Sequence, residues 1–300
     1  MLREYGVKHI VLDNGERLAY REVGHGDNVL LLVHGNMASS LYFIPVLERV
    51  PKGFRAVAID LRGFGESSYI KEIQSFKDMS EDLFNVVCKL NLKDFIMVGW
   101  SAGGGVCMQF EADHPGYAKK MVLIASIPHF GIPFCRWDEK GRMIPDSFFK
   151  SKAELADDPM TAGNALMALK NKDADAIRLI WDRGTYTNKK PEPEYYEVYL
   201  NEALKHRSLL DVDWAMANFN ISDEHNGYVQ GDGAISKINI PVLCIRGDMD
   251  IAIPDFWVKS TVKALGKKAV LKVFNKCGHS PIVDCPDMLV DEIAGFAGST

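Results

Sequence analysis

One serine stands where the chain is expected to change from a buried strand to a helix. The apolar residues 95–98 (FIMV) lead into Gly-Trp-Ser-Ala-Gly at 99–103, and residues 102–113 are predicted to be helical. In a strand–turn–helix of the pattern G-x-S-x-G, the serine occupies a strained backbone and the glycines leave room for the turn. Its hydroxyl projects beside the unpaired N–H groups of the helix start, which favour negative charge on a reacting oxygen. The pattern therefore predicts Ser101 as a nucleophile.

A serine hydroxyl at neutral pH needs an adjacent base to become a useful nucleophile. The chain has eight histidines, and His279 is the one in a short loop between the last predicted strand and the closing helix, in the sequence CGHSP. A histidine by itself is more often packed or on the surface. In an α/β sheet, however, that loop opens on the same carboxyl edge as Ser101. Its position predicts His279 as the base.

The acid that orients the base is expected between the serine and the histidine in chain order. Asp248 and Asp250 both follow the predicted strand PVLCIRG, beyond its carboxyl end. Position alone leaves either one possible. The other aspartate is expected to serve in a turn or helix cap, which is a common use of this residue.

An attacked carbonyl also needs hydrogen-bond donors for the oxyanion that forms. One predicted donor is the main-chain N–H of Ala102, at the start of the helix. The second is the main-chain N–H of Asn36, in the loop HGNMASS after the third predicted strand. Gly35 allows that loop to approach closely. Alone, His34-Gly35 would be read as an ordinary turn at the end of a strand.

The elements that must position these groups alternate between strands and helices. Asn-Gly at 14–15 separates two strands in a predicted hairpin. Apolar runs predict strands at 28–33, 54–60, 93–99, 121–126, 241–247 and 269–275, and helices are predicted at 78–91, 102–113 and 288–297. This alternation predicts an α/β fold, with a mostly parallel sheet covered on both faces.

The strand pattern is interrupted between residues 127 and 236, where helical segments rich in aromatic residues predominate. We therefore predict a core domain formed by residues 1–126 and 237–300, with residues 127–236 as a helical cap domain. Most of the aromatic residues are expected to form the cap's own core. A minority are expected to line an apolar substrate pocket over the serine: Trp137, Phe148, Trp181 and Tyr186, with Trp100 either joining them or packing beneath the turn.

Composition excludes several classes of function. A net charge of −5 over 300 residues argues against nucleic acid or anionic lipid as the main partner. The N-terminus does not resemble a signal peptide, and no segment approaches the roughly 20 apolar residues of a membrane span, so a cytoplasmic protein without membrane insertion is expected.

The six cysteines lack the spacing of a disulfide framework or metal site. No metal and no cofactor are predicted. Cys277, close to His279, is more readily a packed cysteine than a redox-sensitive thiol.

These motifs together resemble the α/β-hydrolase superfamily over nearly the whole chain. The matching stretches are HGN at 34–36, DLRGFGES at 60–67, GWSAG at 99–103, GDMDIAIP at 247–254 and GH at 278–279. The resemblance implies an eight-stranded, mostly parallel sheet with a cap at 127–236. It assigns the acid to Asp250 rather than Asp248. It also implies a serine hydrolase; dehalogenases and epoxide hydrolases of this fold require aspartate at position 101.

Within the superfamily, the chain resembles the intracellular polyhydroxybutyrate depolymerases of Bacillus-type bacteria. The similarity lies in the Trp before the serine, PEPEYYEVYLNEAL, DVDWAMANFNISDEHNG and CGHSPIVDC. It implies hydrolysis of small to medium apolar or hydroxyalkanoate esters, including 3-hydroxybutyrate polyester or oligomers. HGN together with GWS-x-GG is also similar to some acyl-homoserine lactonases. A lactonase, or a non-catalytic ligand-binding relative, is the alternative.

Overall fold

Eight strands form one twisted sheet in the computed structural model, which describes residues 5–298. Their order across the sheet is β1-β2-β4-β3-β5-β6-β9-β10. The strands of the chain, including two outside this sheet, are β1 (Lys8–Val11), β2 (Arg17–Gly24), β3 (Asn28–Val33), β4 (Phe54–Asp60), β5 (Phe95–Trp100), β6 (Ala118–Ile124), β7 (Cys135–Trp137), β8 (Met143–Phe148), β9 (Val242–Gly247) and β10 (Ala269–Phe274).

Helices cover the sheet and form most of the insertion, the segment between β6 and β9. They are α1 (Ile44–Leu47), α2 (Phe76–Lys89), α3 (Ala102–Asp113), α4 (Lys152–Asp157), α5 (Asn164–Asn171), α6 (Ala174–Gly184), α7 (Pro193–Ala203), α8 (Leu209–Asn218), α9 (Asp255–Leu265), α10 (Pro281–Asp284) and α11 (Pro286–Gly298). Short 3₁₀-helices lie at Ser40–Phe43, Ala234–Lys237 and Gly266–Lys268, and a single π-helical turn at Pro159–Gly163.

The sheet is mostly parallel, as the sequence predicts. β1 pairs with β2 and β2 pairs with β4 in antiparallel register, whereas every pair from β4 to β10 is parallel. All six residues of β5 are buried, because helices cover both faces of the sheet at its centre. The α/β-hydrolase fold with eight strands is therefore confirmed. The carboxyl ends of β3, β5, β9 and β10 meet at one edge.

Two apolar cores lie on opposite faces of the sheet. Alternate residues of β3 illustrate the division: Leu31 and Val33 pack into one core, and Leu30 and Leu32 pack into the other. This alternation follows from the two-residue period of a strand. We refer to the core containing Leu31 as the first core and to the core containing Leu30 as the second core.

The insertion between β6 and β9 is less purely helical than predicted. It contains α4–α8, and it also contains an antiparallel pair, β7 and β8, in which Cys135 lies opposite Phe148. Sequence patterning misses this hairpin because its strands are short, largely exposed and interrupted by Pro145. Val212 and Met216 of α8 pack into the first core, so the insertion shares apolar contacts with the sheet. The domain boundaries at 127 and 236 stay a prediction.

Helix α3 begins in very close contact with the end of β3. A Cβ atom on Gly103 would lie 2.3 Å from the carbonyl oxygen of Val33 and 2.5 Å from that of His34. These are main-chain atoms and cannot move aside cheaply. Glycine at position 103 therefore allows the helix to start close against the neighbouring strand.

We expect Gly103→Ala to lower the free energy of unfolding by about 2–3 kcal/mol, because the added methyl group forces α3 away from β3. Gly295→Ala is the matched control: position 295 lies in α11, and a Cβ there meets no atom within 4 Å. The control is expected to raise the free energy of unfolding by about 0.5–1 kcal/mol. Equilibrium urea denaturation measures both, and equal effects of the two variants would contradict the packing argument.

Candidate active site

Ser101 joins β5 to α3 in a strained conformation. Its φ and ψ are 53° and −123°, an unusual combination for a residue other than glycine. Its main-chain N–H donates to the Ile124 carbonyl at 3.0 Å, and its own carbonyl accepts from the N–H groups of Gly104 and Ile127. The surrounding backbone thus holds the turn in place, with the side chain at the carboxyl edge of the sheet.

His279 forms hydrogen bonds through both ring nitrogens. Nε2 lies 3.1 Å from Ser101 Oγ, and Nδ1 lies 3.1 Å from Asp250 Oδ2. Because a carboxylate only accepts hydrogen bonds, Nδ1 carries the proton and donates it toward Asp250. Nε2 is then free to accept the hydroxyl proton of Ser101. The ring is 5% exposed, so neighbouring residues hold its orientation.

Asp250 is buried but is held in its ionised form. Burial alone would raise the pKa of its carboxyl group, but the His279 imidazole and the main-chain N–H groups of Ala252 and Ile253 lower the pKa below its ordinary value. Those two N–H groups donate to Oδ1 at 2.9 and 3.0 Å, which leaves Oδ2 for His279. Every oxygen of this carboxylate therefore has a donor.

Asp248 has a different position and different partners. Its exposed side chain accepts the main-chain N–H of Cys277 at 3.1 Å, and this bond is the main cause of its lowered pKa. Asp248 thus ties the loop after β9 to the loop after β10, as expected of the turn-capping member of the pair. The geometry places Asp250, and not Asp248, beside His279.

The loop that carries His279 is supported by an indole hydrogen bond that the sequence alone did not predict. Trp100 Nε1 donates to the main-chain carbonyl of His279 at 3.0 Å. Gly278 N–H donates to Asp284 at 2.6 Å, at the other side of the histidine. Trp100 is buried and stacks on Tyr42, so the residue preceding Ser101 also positions His279.

The loop after β3 lies directly against Ser101. A Cβ atom on Gly35 would lie 2.9 Å from Ser101 Cβ. His34 is fully buried; its Nε2 accepts the Leu61 N–H at 3.0 Å and its Nδ1 donates to the Gly35 carbonyl at 2.7 Å. Burial lowers the pKa of His34 to about 4, so the ring is neutral and serves to hold this loop.

The two predicted oxyanion donors flank this contact. Within residues 5–298, neither the Asn36 main-chain N–H nor the Ala102 main-chain N–H donates to another protein group. The Asn36 side chain is engaged instead: Oδ1 accepts the Met37 N–H at 3.0 Å, and Nδ2 donates to Asp213 of α8 at 2.7 Å. Both main-chain donors thus remain available for an acceptor beside Ser101.

The four predicted pocket residues of the cap differ in their packing. Trp181 and Tyr186 are buried in the second core, in contact with each other and with the ring of Tyr196. Trp137 is 41% exposed on β7, and Phe148 lies edge-on to Tyr228. The described contacts give these residues packing roles. That any of the four lines a substrate pocket stays a prediction.

Cys277 lies two residues before His279 and is completely buried. Its Sγ is 3.4 Å from Sγ of Cys285, and this hydrogen bond, together with burial, raises the pKa of the Cys277 thiol. The thiol is therefore protonated at neutral pH. In the described part of the chain there is no cluster of three or more His, Cys, Asp or Glu side chains arranged to hold a metal ion.

No helix among residues 5–298 has the length and apolar character needed to span a bilayer.

Comparison with known proteins covers nearly the whole chain. The family model described as "alpha/beta hydrolase fold" matches residues 28–286. AB hydrolase superfamily protein YisY of Bacillus subtilis is 27% identical, over 94% of this chain and 96% of that protein. The pimeloyl-[acyl-carrier protein] methyl ester esterase of Vibrio vulnificus is 24% identical, over 94% of this chain and 98% of that protein. A non-heme haloperoxidase of Rhodococcus erythropolis is 23% identical, over 97% of this chain and 99% of that protein.

Solved structures share the fold over the same length. An esterase from Exiguobacterium antarcticum superposes with a TM-score of 0.73 at 16% identity, over 97% of this chain and 99% of that chain. Esterase RhEst1 from Rhodococcus sp. ECU1013 superposes with a TM-score of 0.71 at 24% identity, over 98% of both chains. With its family model spanning most of its length, the chain is a member of the alpha/beta hydrolase fold family and an enzyme of the serine hydrolase kind.

Proposed function

We propose that this enzyme hydrolyses carboxylic esters through an acyl-enzyme intermediate on Ser101. The observation that carries the proposal is the continuous hydrogen-bonded series from Ser101 Oγ through His279 to Asp250, with both links at 3.1 Å. A hydroxyl, a neutral imidazole and an ionised carboxylate in this order are the groups that acyl transfer requires.

In the first half-reaction, Ser101 Oγ attacks the ester carbonyl while His279 Nε2 accepts the hydroxyl proton. The carbonyl oxygen becomes an oxyanion, and the main-chain N–H groups of Asn36 and Ala102 donate to it. The imidazole is now a cation, and the adjacent Asp250 carboxylate stabilises it without taking its proton. His279 then protonates the leaving alcohol, which departs and leaves the acyl group on Ser101.

In the second half-reaction, water takes the place of the alcohol. His279 accepts a proton from that water, which attacks the acyl carbonyl, and the same two N–H groups stabilise the second oxyanion. Return of the proton to Ser101 Oγ releases the carboxylic acid and restores the starting state. Apart from the ester and water, each step uses only side chains and main-chain donors of this chain, and no metal or organic cofactor takes part.

The proposed substrates are small to medium esters of apolar or hydroxyalkanoic acids, including oligomers or polyester of 3-hydroxybutyrate. The chain's similarity to a methyl ester esterase and its fold similarity to two esterases support ester hydrolysis. The hydroxyalkanoate substrate rests on the sequence motifs around Trp100 and in the cap. A cytoplasmic location, without membrane or nucleic-acid partners, completes the proposal.

A lactonase is the second candidate, because the HGN loop and the GWS-x-GG turn are also similar to acyl-homoserine lactonases. The same groups would open a cyclic ester, and the alcohol would stay attached to the product. Mass analysis of the products from equal concentrations of a homoserine lactone and a linear ester separates the two activities.

Ser101→Ala is expected to reduce kcat for ester hydrolysis by about 10⁴-fold or more, because the nucleophilic oxygen is lost while the fold is retained. The measurement uses ethyl esters from acetate to octanoate, together with 3-hydroxybutyrate oligomers, on the purified wild type and variant. Near-native turnover by the variant would contradict the mechanism. A wild type that cleaves none of these esters would contradict the proposed function.

Asp250→Asn is expected to lower kcat by about 10³–10⁴-fold, because an amide presents a hydrogen-bond donor to His279 Nδ1 and selects the wrong tautomer. Asp248→Asn is the matched control in the same loop; its carbonyl oxygen still accepts the Cys277 N–H, and kcat is expected to stay within about threefold of wild type. Equal losses in the two variants, measured on one ester at saturation, would contradict the assignment of the acid.

A further inference from the structure

One carboxyl group of the cap reaches the active-site loop. Asp213 of α8 is 7% exposed, and its Oδ1 accepts a hydrogen bond from Asn36 Nδ2 at 2.7 Å. Asn36 contributes one of the proposed oxyanion donors through its main chain. Asp213 thus contacts the residue that would hold the reacting carbonyl, although the two residues are 177 positions apart in sequence.

The packing of α8 places Asp213 above the carboxyl edge of the sheet. Leu209, one turn before Asp213, packs into the second core, whereas Val212 and Met216 pack into the first. A helix that contacts the cores on both faces of a sheet must cross an edge of that sheet. The bond to Asn36 identifies this edge as the one where Ser101 is presented.

The second oxygen of Asp213, Oδ2, receives no hydrogen bond from residues 5–298. Among the described residues, the hydrogen bonds of this carboxyl group consist of the one from Asn36 to Oδ1. With 7% of its surface exposed, Asp213 is not completely enclosed by the protein. Burial raises the pKa of Asp213 to about 7, opposed by the Asn36 hydrogen bond alone. A buried acceptor of this kind is strongly stabilised when a ligand supplies the missing donor.

We propose that Asp213 Oδ2 accepts a hydrogen bond from a hydroxyl or amide N–H on the acyl chain of the ester substrate. Asp213 would then select esters whose acyl chain carries a donor close to the scissile carbonyl. The Asn36 side chain and its hydrogen bond together place the carboxylate on the order of 6 Å from the Asn36 main chain. A donor on the third carbon of the acyl chain matches this reach. This inference rests on the proposed ester hydrolysis and narrows its substrate class.

A purely structural role for Asp213 predicts a different result. If Asp213 only held Asn36, its loss would change the oxyanion site and slow every ester by the same factor. A substrate-binding role changes the ratio of kcat/KM between an ester that carries the donor and one that lacks it. A loss of kcat/KM that is equal for all esters cancels from this ratio. The ratio is therefore the quantity to measure.

The experiment compares ethyl butyrate, ethyl 3-hydroxybutyrate and ethyl 3-acetamidobutyrate in a pH-stat assay at pH 8. The wild type is expected to prefer at least one donor-bearing ester over ethyl butyrate by about tenfold or more in kcat/KM. The second and third esters separate a hydroxyl from an amide N–H as the donor. In Asp213→Leu the preference is expected to fall to about one.

Asp211→Asn is the matched control on the same helix, where Asp211 pairs with Lys152 and Tyr69 and, within residues 5–298, forms no hydrogen bond with Asn36. Its preference ratio is expected to equal that of the wild type. An unchanged ratio in Asp213→Leu would overturn the inference, and so would a wild type that hydrolyses all three esters equally well. If circular dichroism shows that Asp213→Leu does not fold, the inference is tested by the kcat/KM ratio of the wild type, and equal hydrolysis of the three esters still overturns it. A wild type that hydrolyses none of the esters would instead overturn the proposed function, and this inference with it.

Discussion

The two hydrogen bonds of the His279 imidazole are the interactions on which the site depends. They join a hydroxyl at the end of β5 to a carboxylate after β9, and the histidine itself follows β10. These loops are far apart in sequence and meet because parallel strands end at one edge of a sheet. The fold's main contribution to chemistry is to bring three short loops to that edge with each side chain already oriented.

Each of the three residues is held by partners that do not react. Ser101 is fixed by main-chain bonds to β6 and α3, and Asp250 by two N–H groups of its own loop. The loop of His279 is held by Trp100, the residue that precedes Ser101 in sequence. Backbone contacts and buried aromatic packing therefore preorganise the site. The conformational entropy of these groups is lost during folding and not when substrate binds.

The cap is proposed to control substrate choice. Aromatic side chains of its helices, including Trp181 and Tyr199, pack with Tyr42 inside the second core, which stabilises the cap against the sheet. The bond between Asp213 and Asn36 joins the cap to the loop of the proposed oxyanion donor, and through it the proposed substrate choice is connected to that loop. Fold and catalytic geometry thus reside in the sheet, and the proposed specificity resides in one cap helix.

Sequence patterning predicts the elements whose signals are local. The apolar runs at 28–33 and 54–60 coincide with β3 and β4, and the glycines around Ser101 predict its turn. Patterning does not predict α9, because the exposed Phe256 adds an apolar residue outside the buried face of this helix. It also does not predict the exposed hairpin β7–β8. It also misses the contacts of Trp100 and Asp213, because these join residues more than 170 positions apart. Only tertiary packing determines such pairs.

The most direct test of the central claim is the site and rate of covalent labelling by a fluorophosphonate, mapped by mass spectrometry. The account predicts that the phosphonyl group is found on Ser101 and that His279→Ala slows its attachment by about 10³-fold or more, because the hydroxyl loses its base. Labelling of another residue, or labelling of Ser101 at an equal rate in the two proteins, would contradict it.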